Sequence, residues 1–201
     1  MTLNDFRALV ALTLRDPGRA ARTLLGLGVP MQARWMALLL AVSVSGLLAW
    51  LSSALVRMPA DLPPGEDAAL ALIAAQPLMI AVLQLGAILL AAGLMSAVGR
   101  AFGGQGRFED ALLLTVWIEI VMLIVQIVQT LAMLILPPLA GIFGVIAIAL
   151  FLWLTVQFTK ALHGFTSTAR VAAVMLATVL VAGFVMSFVA AAFGLMPGGP
   201  Q

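Results

Sequence analysis

Five apolar runs, at residues 35–56, 77–98, 111–136, 139–159 and 171–194, constrain this chain more than any other feature. At about 1.5 Å of rise per residue, each is long enough to cross the roughly 30 Å hydrocarbon layer as a helix. Inside lipid the backbone must satisfy its own polar groups, which leaves continuous runs of this length as helices. The fold class is therefore all-α, a polytopic membrane protein built as a five-transmembrane-helix bundle. Composition agrees: 64% of residues are hydrophobic and 9% are charged, against about 25% charged in a soluble domain.

Ahead of the first run, residues 1–33 read as interfacial amphipathic helices, and residues 34–201 as the transmembrane domain. Leu3, Phe6, Val10 and Leu14 recur on one side of a first helix, with Asn4, Ala8, Ala11 and Arg15 roughly opposite, so the segment suits a membrane surface. Asp16 and Pro17 then make an N-cap and first-turn pair for a second short helix through about Leu25. Charges are mixed throughout this region and no uninterrupted apolar core precedes the first run, unlike a cleavable signal peptide.

Basic residues set the expected orientation. Arg7, Arg15, Arg19, Arg22 and Arg34 precede the first span, Arg100 and Arg107 bound the second connection, and Lys160 and Arg170 flank the fourth. Only Arg57 falls on the opposite side, in RMPADLPPGEDAAL, while the Pro137-Pro138 connection is uncharged. The positive-inside bias then puts the N-terminus in the cytoplasm and the C-terminus outside. Lipid is the first partner, and Arg19, Arg22, Arg100 and Arg107 are candidate head-group contacts. Gly103, Gly104 and Gly106 between the last two supply the backbone freedom of a tight connection.

Small residues at Ala33, Ala37, Ala41, Ser45, Ala49 and Ser53 form a ridge along the first span, with Val42 off it. In lipid such ridges let helices approach closely, and Gly183, Ser187 and Ala191 on the fifth span are the expected partner surface. The third span carries Thr115, Glu119, Gln126 and Thr130 near one face, with Gln129 at its edge. Gln84 and Gln157 on neighbouring spans complete a candidate intramembrane polar cluster. Two readings stay open for it: an interhelical hydrogen-bond network, or a proton or solute pathway through Glu119. No span carries a cation to pair with Glu119, so it is expected to face the bundle interior as the neutral acid.

Enzymatic chemistry finds no support in the residues. The chain has no cysteine and one histidine, His163, read as an interfacial residue just past the fourth span. No helical His-Glu pair, Ser-His-Asp set or G-x-S-x-G elbow occurs, so no catalytic residue, metal site or cofactor is expected. Gly103-Gly104-Gln105-Gly106 lacks the lysine and preceding strand of a P-loop. No basic, aromatic-interleaved patch points to nucleic acid.

The order of features resembles the bacterial branch of the Yip1 family. The resemblance rests on DPGRAA at 16–21, the GG-x-G-x-F pattern at 103–108 and FTKALHGFTSTARVAAV at 158–174. Eukaryotic members are associated with Rab GTPases, partly through tyrosine motifs such as DLYGP, whereas this chain has no tyrosine. What the resemblance implies here is a small non-enzymatic membrane protein that shapes, organises or recruits at the membrane, with other membrane proteins or further copies of itself as partners. The third span also departs from the commoner pattern of a proline after an aromatic residue: Trp117 is followed by Ile118, Glu119 and Ile120.

Because the chain lacks cysteine, single cysteines at Gly65 and Gly198 give a direct topology test. Both should react with an impermeant thiol reagent from the non-cytoplasmic side. Labelling from the cytoplasmic side alone would overturn the five-span orientation.

Overall fold

The computed structural model describes residues 2–55, 77–135 and 140–192. Seven helices form among them: α1 (Leu3–Arg15), α2 (Pro17–Gly26), α3 (Met31–Leu55), α4 (Pro77–Ala101), α5 (Phe108–Ile135), α6 (Ala140–His163) and α7 (Thr168–Ala192). The last five are the long apolar helices able to cross a membrane. The acidic connection at 57–70, with Arg57 in it, and the Pro137-Pro138 connection lie outside the described residues.

Local chemistry explains where the short helices begin. Thr2 and Asp5 form a capping box: the Asp5 carboxylate accepts from the Thr2 amide at 2.7 Å, and the Thr2 hydroxyl accepts from the Asp5 amide at 3.2 Å. Those bonds hold the exposed Asp5 carboxyl below its ordinary range. Asp16 caps α2 by accepting from the Arg19 amide at 2.9 Å, and Pro17 starts the helix as expected.

Each long helix continues past its apolar run at the same end. The run beginning at 35 starts its helix at Met31, the one ending at 98 reaches Ala101, the one beginning at 111 starts at Phe108, and the one ending at 159 reaches His163. At that end, charged and polar side chains take the helix into the interface without lengthening the apolar stretch. The same end carries α1 and α2, and is called the hairpin end below.

The core lies at the hairpin end and is built around α5, the most buried span. Ala111 to Leu114, Val116 to Ile118 and Val121 of α5 meet Leu38 and Val42 of α3, Ile88, Ala92 and Met95 of α4, and Leu154, Phe158 and Leu162 of α6. Leu9 of α1 and Ala20, Ala21 and Leu24 of α2 join the same cluster. The N-terminal pair is thus packed onto α5 and α6 as part of the bundle.

The structure departs from two expectations. The buried face of α1 is Leu9 and Thr13, flanked by half-buried Phe6 and Val10, while Leu3 and Leu14 are 66% and 48% exposed. A helix docked on protein turns its best-fitting side inward and leaves other leucines exposed. The small-residue ridge of α3 likewise packs against α4 and α5, not α7. Ala41 and Ser45 are buried there, as is Val42 beside them. Helix α7 lies along α6, and Gly183 and Ser187 face outward. Ser45 instead bonds Gln84 of α4 and Gln126 of α5.

Enlarging the ridge should separate α3 from α5. Ala41→Leu is expected to cost about 1–3 kcal/mol, whereas Leu40→Met, at a position 66% exposed, should be near neutral. Thermal unfolding in detergent compares the two, and equal melting temperatures would remove the packing role of the ridge.

Candidate functional site

Two polar constellations stand out in a bundle that is otherwise apolar. The first lies midway along α3, α4 and α5. Gln84 of α4 donates from Nε2 to Oε1 of Glu119 at 2.6 Å and to the Ser45 hydroxyl of α3 at 3.0 Å. Ser45 donates to Oε1 of Gln126 at 3.2 Å, and Gln126 Nε2 returns to the Ser45 carbonyl at 3.4 Å. Two turns further along α3 and one along α5, Ser52 and Thr130 share a hydrogen bond of 2.9 Å. The network ties three helices together with groups that lipid would leave unpaired.

Of the residues anticipated for this cluster, Glu119, Gln84 and Gln126 come together. Gln129 lines the same cleft, its amide nitrogen 3.6 Å from where a Cβ on Gly144 of α6 would lie. Gln157 does not join them; it faces a separate groove between α6 and the N-terminal helices. Thr115 is turned onto its own helix, donating to the Ala111 carbonyl at 2.7 Å. Ser45, read from sequence only as a small residue, is the hub. A cleft of about 280 Å³ reaches Glu119, with Met122, Val125 and Phe151 as its apolar walls.

The second constellation fixes the hairpin end. His163, the last residue of α6, is buried, in contrast to the interfacial position expected for it. Its Nδ1 accepts from the Gly106 amide at 3.0 Å and its Nε2 meets the Met95 carbonyl at 2.9 Å. An amide N–H only donates and a carbonyl only accepts, so the ring is the neutral Nε2–H tautomer. Phe165 stacks on it at 5.4 Å. A Cβ on Gly99 or Gly104 would overlap the imidazole, and one on Gly106 would lie 2.6 Å from it. The glycines of the 99–106 stretch therefore make room for a side chain from α6. Only Gly103, at φ +86, uses the left-handed region.

Trp117 holds the other side. Its indole N–H donates to the Thr13 hydroxyl at 2.9 Å, Thr13 donates to the Leu9 carbonyl at 2.8 Å, and Phe6 meets the indole edge-on at 5.6 Å. A tryptophan this far inside a span needs an acceptor for its N–H, and that need was the sequence signal for a docking partner. Arg34, only 8% exposed, bonds the carbonyls of Val29 and Glu109 and pairs with Asp110 at 3.2 Å, joining the starts of α3 and α5.

The candidate head-group arginines diverge. Arg107 pairs with Glu109 at 3.3 Å on an exposed surface, and Arg100 donates back to the Ser96 carbonyl at 3.4 Å. Arg19 is exposed on α2, while Arg22 lines the groove that holds Gln157.

Five long apolar helices, three of them joined by a polar network, with an amphipathic hairpin seated on one end, define a polytopic helical membrane protein. A model of the Yip1 domain matches residues 11–189, and the chain belongs to the Yip1 family. Comparison with curated proteins and with solved structures gave no match.

The fit of His163 into its glycines can be tested by relief of overlap. Gly104→Ala should lower stability by about 1–3 kcal/mol. Adding His163→Ala to it should cost less than the sum of the two single changes, because the two side chains no longer compete for one space. Strict additivity of the melting shifts in detergent would contradict the cradle.

Proposed function

We propose that this protein is a non-enzymatic membrane organiser or adaptor, with its N-terminal hairpin on the cytoplasmic face of a bacterial inner membrane and its C-terminus outside. The observation that carries this reading is the Trp117–Thr13 bond, backed by Phe6, which fixes the hairpin to the third span. A fixed hairpin presents Arg7 and Arg19 at a constant place and orientation, a surface that another membrane protein or a second copy can use. Nine of the ten basic residues lie on the hairpin side, which supports the orientation.

A second reading, a small transporter or channel subunit, is favoured by one observation, the cleft that reaches Glu119. Among the described residues the network supplies a single carboxylate and no cation on the polar face of α5.

Affinity purification of the full chain in mild detergent separates the readings. The wild type should retain a membrane partner or a second copy, and Arg7→Glu with Arg19→Glu should lose most of it while keeping the melting temperature. Absence of any retained partner, together with proton or solute flux in vesicles that Glu119→Gln abolishes, would overturn the adaptor reading in favour of transport.

A further inference from the structure

A groove of about 610 Å³ runs between the start of α2 and the side of α6. Arg15 and Arg22 line it from the hairpin and Lys160 and Gln157 from α6, with Trp153 deeper along the same helix. One carboxylate, Asp16, faces the three cations, and it is engaged in capping α2. Among the described residues neither Arg15 nor Arg22 forms an ion pair, and the half-buried Gln157 amide has no hydrogen-bond partner. Lys160 spends one of its three N–H groups on the Thr168 hydroxyl at 2.9 Å.

We propose that this groove binds the head group of an anionic phospholipid. Its polarity follows that of a lipid standing in the bilayer. Lys160 lies in the last turn of α6, where the span meets the interface, and Trp153 lies about 10 Å deeper along the helix, at the level of the glycerol and upper acyl chain. The phosphate sits among Arg15, Arg22 and Lys160, and the Gln157 amide donates to an ester carbonyl below it. An acidic peptide would match the cations but has no reason to extend to Trp153. The bound lipid bridges α2 and α6, which already touch, and so reinforces the seating of the hairpin.

Native mass spectrometry of the full chain in detergent, titrated with phosphatidylglycerol, phosphatidylcholine or inorganic phosphate, tests this. Phosphatidylglycerol should bind and phosphatidylcholine should bind far more weakly. At about fivefold in affinity for each cation removed, Arg22→Gln with Lys160→Gln should bind roughly twenty-five-fold more weakly. Arg170→Gln, which removes one positive charge outside the groove, should bind as the wild type does. Gln157→Leu, which leaves every charge in place, should still weaken binding, and decides the matter if the double variant fails to melt cooperatively without lipid. Equal binding of the two lipids, unchanged affinity in both groove variants, or displacement of the lipid by millimolar phosphate would overturn the proposal.

Discussion

A polar group inside hydrocarbon has no water to fall back on, and helix α5 carries several such groups: Glu119, Gln126, Gln129, Thr130 and the Trp117 indole. Apolar contact gives helices little reason to choose one neighbour over another when lipid tails are equally apolar. The choice of neighbours follows from where those groups find partners. Ser45 and Ser52 bring α3 to one side, Gln84 brings α4, and Thr13 brings the hairpin to Trp117. Gly144 lets α6 come close to Gln129. The centrality of α5 is thus a result of hydrogen-bond accounting before it is one of apolar packing.

At the hairpin end, the adhesive is more specific still. The imidazole of His163 uses one nitrogen on a carbonyl of α4 and the other on an amide of the loop before α5, so that the ends of α4 and α6 and the turn preceding α5 are set by one ring. Arg34 sets the start of α3 against the start of α5 in the same layer. Four of the spans, α3 to α6, therefore have their register fixed at one end by directional bonds, while the middle network resists rotation of α3, α4 and α5 about their axes.

The sequence made the elements plain because apolar run length is a property of a segment alone. Run ends were shorter than the helices, since Arg34, Arg100 and Lys160 stop an apolar run without stopping a helix. Which spans touch depends on pairs of segments, and there a single sequence says less. Gln84 and Gln126 reach Glu119, but Gln157 turns to α2, because nothing in its spacing reveals that a hairpin occupies that side of α6. The glycines of 99–106 were visible, and so was His163, yet no spacing links a loop to a side chain 57 residues away. Ser45 looked like one more small residue in a ridge because its hydroxyl matters only beside Gln84 and Gln126.

The bond from Thr13 to Trp117 spans 104 residues of chain. At roughly 5–20 residues per second, the ribosome needs about 5–20 s to produce the second partner after the first. For that interval α1 and α2 exist without the wall they are shaped to meet. The outward leucines, Leu3 and Leu14, extend the apolar face of α1 beyond the part that meets α5, and give a newly made hairpin a surface that suits lipid.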